Sequence, residues 1–143
     1  MDNKIYPLEL LYDGECAICR FDVAHFRRRN GQGLLTFTDI SAPGFDPTPY
    51  GRTREQLLAR MHARRADGTL AEGADVFRLA CGATGLTGLK AVMEFPGLRP
   101  LTDLAYTLFA RNRVWLSRRF GGIFARLTPV CDGNSCSLPG ARS

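Results

Sequence analysis

The sequence predicts an α/β fold: a β-α-β unit, then a β-hairpin with a following helix, and a helical extension at the C-terminal end. Three observations carry this. A strand-like run over residues 5–12 stops at the turn pair Asp13-Gly14 and passes into a segment of helical periodicity, which leads to a second β-rich run over residues 34–38. A helix of that length can join parallel neighbours by a right-handed crossover. Further on, Asp67-Gly68 stands between two short runs, residues 61–65 and 69–72, a strong local hairpin signal. Finally, Leu101, Leu104, Ala105, Leu108 and Phe109 recur at the spacing of an amphipathic helix.

Each element has its local reason. In the first strand Leu8, Leu10 and Leu11 are apolar, and Pro7 marks an edge start. The first helix, residues 15–29, turns Ile18, Phe21, Val23 and Phe26 inward. Arg27, Arg28 and Arg29 fill its last turn, where cations suit the dipole, and Asn30-Gly31 caps it. After a Pro/Gly-rich loop, Thr53 and Gln56 form a capping box for a short helix over residues 54–60. Beyond the hairpin, Gly73-Ala74-Asp75 opens a helix that runs through Cys81 and ends at Gly82. Residues 86–95 are apolar and helical, and the last helix starts at Pro100 or Leu101 and continues through Val114-Trp115-Leu116. Strand, helix and strand, then a helix, a hairpin and a helix, is the thioredoxin-like plan. Residues 1–120 are read as that domain with its C-terminal helices, and residues 121–143 as a flexible, Gly/Pro/Ser-rich tail containing Cys131 and Cys136.

With 143 residues, 45% of them hydrophobic and 23% charged, the chain can bury a core without disulfide staples. No apolar run approaches the roughly 20 residues that span a bilayer, and the N-terminus lacks the apolar stretch of a signal peptide. A reduced, cytoplasmic protein is expected. In that setting a Cys-x-x-Cys is more often catalytic or metal-binding than structural. The net charge of +5 comes mostly from arginine, which helix-end compensation and solubility largely explain. No nucleic-acid-binding module is recognisable, so no nucleic-acid partner is expected. Contact of the basic C-terminal helix with an anionic membrane is not expected either.

The chemistry centres on Cys16-Ala17-Ile18-Cys19, placed on the first turn of the helix. Helix-terminal placement favours the thiolate of the outer cysteine. Cys16 is then the natural attacker of a disulfide and Cys19, one turn deeper, the natural resolver. Asp13 and Glu15 oppose the lowering of the thiol pKa, which predicts a moderately reducing protein rather than a strong oxidant. Asp13 has two readings, a general base for the Cys19 proton or an N-cap. The pair itself also has two other readings, half of a zinc site or inert thiols. Cys131 and Cys136 fit a second dithiol that relays electrons to the first, a four-thiolate zinc site with Cys16 and Cys19, or idle tail thiols. Cys81 reads as a small buried hydrophobe. His25 and His62 lack ligand spacing and read as surface or satisfied core residues, and there is no positive sign of a Cys/His hydrolase. Trp115 reads as core or helix packing, and Tyr12 as part of the rim of the site.

The segment Asp13-Gly-Glu-Cys16-Ala-Ile-Cys19 resembles the D-x-x-C-x-x-C signature of the DCC family of thiol-disulfide oxidoreductases. Similar stretches follow in order: Phe37-Thr-Asp39, Asp67-Gly68, Gly73-Ala74-Asp75-Val-Phe77, Pro96-Gly97-Leu98, and the stretch from Tyr106 to Arg113. The resemblance covers residues 10–119. It implies a thioredoxin-like fold and an enzyme that exchanges a Cys16/Cys19 dithiol with protein or small-thiol disulfides, with Asp13 in the site and no cofactor. The alternative is an interaction module holding zinc on Cys16, Cys19, Cys131 and Cys136. Two departures stand out. No proline precedes the Met61 strand, where thioredoxins set a cis-proline facing the cysteines, and Cys131 and Cys136 lie outside the matched region.

Overall fold

A strand is central when both of its edges are paired and both of its faces are covered, and β1 (Leu8–Tyr12) meets both conditions. The computed structural model describes residues 3–128, with the backbone of 130–132 and 135–137. β1 runs parallel to β2 (Leu35–Asp39), with Leu8 opposite Leu35 and Tyr12 opposite Asp39, and the twelve-residue helix α1 (Ala17–Arg28) makes the crossover. On its other edge β1 lies antiparallel to β3 (His62–Arg64), which pairs with β4 (Leu70–Glu72). The sheet order is β2-β1-β3-β4, the mixed arrangement expected of a thioredoxin-like domain.

The side-chain period of two assigns the layers. Leu8 and Leu10 face one side, where they pack with Phe26 of α1 and with Val76, Ala80 and Cys81 of α3 (Ala74–Ala83). Leu11 faces the other side and meets Ile40 and Leu57, the latter on α2 (Arg54–Ala59). α2 starts at the expected capping box, in which Thr53 and Gln56 satisfy each other's backbone N–H. In the hairpin, the Asp67 carboxylate accepts the N–H of Thr69 at 2.9 Å and its hydroxyl at 2.7 Å. Gly68 takes the positive φ of +86° that this turn needs.

The structure moves two boundaries. α3 does not end at Gly82 but runs to Ala83, and the left-handed residue just beyond its end is Gly85, at φ +77°. Gly82 sits where the Tyr6 hydroxyl crosses α3 to donate to the Leu79 carbonyl at 2.9 Å. After α4 (Thr87–Glu94), a single 29-residue helix, α5 (Arg99–Leu127), passes straight through Gly121-Gly122. Residues 121–127, read from the sequence as the start of a flexible tail, therefore belong to a helix packed along α1. Gly121 lies against Ala17, where even an added Cβ would make an ordinary contact at 3.8 Å, and Phe124 sets its ring edge on Phe21 at 5.3 Å. Once a helix is nucleated, such contacts outweigh the modest cost of glycine. Two short strands, β5 (Val130–Asp132) and β6 (Ser135–Ser137), then pair antiparallel with Cys131 opposite Cys136.

Trp115, expected in packing, is 62% exposed on the outer face of α5 and touches Phe120 edge-on. Leu101, Leu104 and Leu108 are exposed on the same helix. No helix among the described residues is long and apolar enough to cross a membrane.

One buried cation ties α3, α4 and α5 to one another. Arg78 donates to Asp75 at 2.6 Å, Asp103 at 2.7 Å, the Thr102 hydroxyl at 2.8 Å and the Met93 carbonyl at 3.2 Å. Replacing it leaves two carboxylates and a carbonyl without their donor. Arg78→Ala should lower the unfolding free energy by about 3 kcal/mol in urea titration, the low end for a broken buried pair because both carboxylates are half exposed. A loss below about 0.5 kcal/mol would show that solvent replaces the arginine at little cost.

Candidate active site

The site begins with the turn between β1 and α1. The Asp13 carboxylate accepts the Glu15 N–H at 3.0 Å, and its carbonyl accepts the Cys16 N–H at 3.1 Å. The Gly14 N–H donates to Asp39 Oδ1 at 2.9 Å, and a Cβ on Gly14 would land on that carboxylate. The parallel register that places Asp39 opposite Tyr12 is what delivers this anchor. Burial works against the Asp39 charge, but the hydroxyl and N–H of Ser41 and the N–H groups of Gly14 and Ala42 hold its carboxyl below the usual range. The acid of the Phe37-Thr-Asp39 segment thus pins the turn that presents the cysteines.

Cys16, not Asp13, is the N-cap of α1. Its sulfur accepts the Cys19 N–H at 3.4 Å and the Cys19 S–H at 2.8 Å. Both thiols, with that of Cys81, are free. The hydrogen bond from the Cys19 thiol is the largest influence on Cys16, and it outweighs burial. The Cys19 N–H and the Arg113 guanidinium assist and the Asp13 charge opposes, which lowers the Cys16 thiol to about 6. Cys19 is driven strongly upward, first because it donates its proton to Cys16, then by burial and by the Cys16 charge. The two sulfurs are thus differentiated as a stabilised thiolate and a protonated partner.

The third wall comes from α5. Arg113 approaches Cys19 Sγ at 3.9 Å and Asp13 Oδ2 at 4.0 Å, and it donates to the Leu58 carbonyl. Ser117 Oγ accepts the Ala17 N–H at 3.1 Å, one of the otherwise unpaired donors at the start of α1. Tyr106 Oη accepts the Met61 N–H at 2.8 Å at the entrance to β3, where no proline stands. α5 and the CxxC turn enclose a crevice of about 290 Å³ that reaches Cys16.

Asp22, which sequence reasoning passed over, lies one turn beyond Cys19 on α1. Burial, helped by the Cys16 charge, pushes its carboxyl up to about 7. Asp22 and Cys19 share a cavity of about 20 Å³ with Met61, Tyr106 and Arg113, room for one water molecule. A signal for Asp22 was present, an acid at i+3 from the second cysteine on the inward side of the helix. Arg113 carried no local signal, because 94 residues separate it from Cys19.

The other residues singled out from the sequence fall as follows. Cys81 is buried, and burial raises its thiol pKa. His62 is a satisfied core residue, with Nδ1 at 2.8 Å from the Arg60 carbonyl and Nε2 at 3.4 Å from Glu72. His25 packs on the Phe21 ring. The side chains of Cys131 and Cys136 lie outside the described residues, so the four-cysteine zinc arrangement and the second dithiol do too. Among the described residues no group of three or more His, Cys, Asp or Glu is arranged to hold a metal ion.

Comparison with known proteins agrees with this geometry. The profile of a family described as DCC1-like thiol-disulfide oxidoreductase matches residues 10–119. An uncharacterized chloroplastic protein of Arabidopsis thaliana is 28% identical over 116 residues, which cover 80% of this chain and 54% of that protein. The chain therefore spans about half the length of this curated relative. No solved structure matches significantly.

The thiol pKa lowering is directly testable. Below about 6 the Cys16 thiol is protonated and unreactive, so its alkylation rate, followed by peptide mapping, should fall as pH drops through that value and level off above it. Cys19→Ala removes the principal donor and should raise the midpoint by a unit or more, toward the ordinary thiol value of about 8.5. An unchanged midpoint would mean that the Cys19 thiol does not hold the Cys16 charge.

Proposed function

Because the chain belongs to the DCC1-like thiol-disulfide oxidoreductase family, we propose that it is an enzyme exchanging its Cys16/Cys19 dithiol with substrate disulfides. The observation that carries this reading is the Cys19-to-Cys16 hydrogen bond at the start of α1, which pairs a stabilised thiolate with a protonated neighbour. Cys16 attacks a substrate disulfide and forms a mixed disulfide, with the first substrate sulfur leaving as a thiolate. The negative charge on Cys16 is then gone, and with it a main reason for Cys19 to keep its proton. Cys19 loses that proton, attacks Cys16 Sγ and expels the second substrate thiol. The cycle leaves a Cys16–Cys19 disulfide and two reduced substrate sulfurs.

Asp22 is the proton acceptor in this scheme. Burial, the main cause of its raised pKa, persists after the Cys16 charge is gone, which keeps its carboxyl a better proton acceptor than an exposed carboxylate, and the shared cavity connects it to Cys19. Asp13, the base candidate from the sequence, has one oxygen on the Glu15 N–H and the other facing Arg113. We assign it to holding the turn and the guanidinium within the same site. A thiol near 6 lies between thioredoxin and DsbA values, which supports a reduction potential between about −270 and about −120 mV. A reducing compartment such as the cytoplasm suits a Cys-x-x-Cys pair that cycles between dithiol and disulfide, since disulfides there are transient and catalytic.

Stopped-flow exchange with a chromogenic disulfide tests the scheme. Cys16→Ser should abolish reaction at the site. Cys19→Ser should trap the mixed disulfide. Asp22→Asn should slow release of the second thiol by roughly 10²-fold, the order expected of a general base, and leave the first burst intact. If Asp13→Asn slows that step and Asp22→Asn does not, the proton acceptor is Asp13.

A further inference from the structure

We infer that the substrate class of this site is a small zwitterionic disulfide, of the cystine or oxidised cysteinyl-peptide type, held in the crevice between the CxxC turn and α5. This rests on the thiol-disulfide reading above and specifies what it acts on.

Three observations converge. The first is access: Cys16 is only 7% exposed, and the crevice that reaches it has a volume of about 290 Å³. That is at the lower end of the range for small-ligand sites, about 300–1,000 Å³. The second is the state of the neighbouring backbone. An extended peptide docks by pairing with free main-chain groups, and the segment beside the cysteines has few to offer. The Met61 N–H donates to Tyr106, the Met61 carbonyl accepts the Gly73 N–H, and the Leu58 carbonyl accepts Arg113. The Arg60 carbonyl lies 2.8 Å from His62 Nδ1. The third is charge. Asp13 and Glu15 lie on the turn side of the crevice and Arg113 and Arg118 on the α5 side; Asp13 and Arg113 face each other at 4.0 Å, which leaves Glu15 and Arg118 to meet a ligand. Opposed acidic and basic walls complement a molecule that bears both an ammonium and a carboxylate, and they favour neither a dication nor a dianion.

The reaction in the crevice balances as follows. The Cys16 thiolate attacks one sulfur of R–S–S–R, giving Cys16–S–S–R and R–S⁻. Cys19 passes its proton to Asp22 and displaces the second R–S⁻ from Cys16. Two electrons pass to the substrate, the Asp22 proton returns to one leaving thiolate, and the Cys16–Cys19 disulfide remains.

Pre-reduced protein is mixed with excess disulfide, and formation of the Cys16–Cys19 disulfide is followed by peptide mass mapping. The probes are cystine, the dication cystamine, the dianion dithiodipropionate, neutral hydroxyethyl disulfide and insulin. Cystine should react roughly tenfold faster or more than each of the others, the order of one charge-assisted contact. Arg118→Glu, on an exposed helix face, should lower the cystine rate relative to the hydroxyethyl disulfide rate by a similar factor. Insulin reacting as fast as cystine, or a cystine-to-neutral ratio unchanged by Arg118→Glu, overturns the substrate class and leaves the exchange reaction standing. If no probe oxidises the pair, the exchange reaction itself fails, and the substrate class with it.

Discussion

Burial of Cys16 works against its ionisation, and the hydrogen bond from the Cys19 thiol at 2.8 Å outweighs it. That bond needs Cys16 to stand at the N-cap of α1 with its sulfur turned back over the first helical turn, where it also receives the Cys19 N–H. The N-cap geometry in turn needs a tight exit from β1. Gly14 supplies it, pressed so close to Asp39 that no side chain fits, and the β1–β2 register brings Asp39 to the right place. A reactivity carried by two sulfur atoms thus depends on strand pairing between segments far apart in sequence.

α5 completes what the β-α-β unit begins. The exposed start of a helix has unpaired N–H groups, and Ser117 occupies that of Ala17. Arg113 places positive charge beside the sulfurs and binds the Leu58 carbonyl, and Tyr106 binds the Met61 N–H at the entrance to β3. One helix therefore roofs the crevice, contributes to the electrostatics of the thiolate and occupies backbone groups that would otherwise be open. Arg78 ties α3, α4 and α5 to one another through carboxylates on α3 and α5 and the Met93 carbonyl on α4.

Much of this plan was legible in the chain. Alternating leucines in β1, the Asp67-Gly68 hairpin and the Thr53/Gln56 capping box are local signals, and each element formed where its signal lay; α5 formed too, but Leu101, Leu104 and Leu108 of its expected apolar face are exposed. Where the reading missed, tertiary packing overrode a local rule. Gly82 does not stop α3, because Tyr6 crosses there and Gly85 supplies the left-handed cap. Gly121 and Gly122 do not open a tail, because Ala17 and Phe21 of α1 support the helix across them. Trp115 is exposed although large and aromatic, since the inward face of α5 is already filled by Tyr106, Phe109, Arg113 and Ser117.

The sequence by itself determined which residues could do redox chemistry. Two thiols three apart after an Asp-Gly turn face the same side of whatever helix follows, and that geometry is set by covalent spacing and the helical repeat. It did not determine which thiol ionises, where the resolving proton goes or what can reach the sulfur. Those depend on Arg113, Ser117 and Asp39, which lie far along the chain, and on how deeply Asp22 is buried. Charge stabilisation and desolvation act through space and fall off within a few ångströms, so only the folded arrangement could decide them.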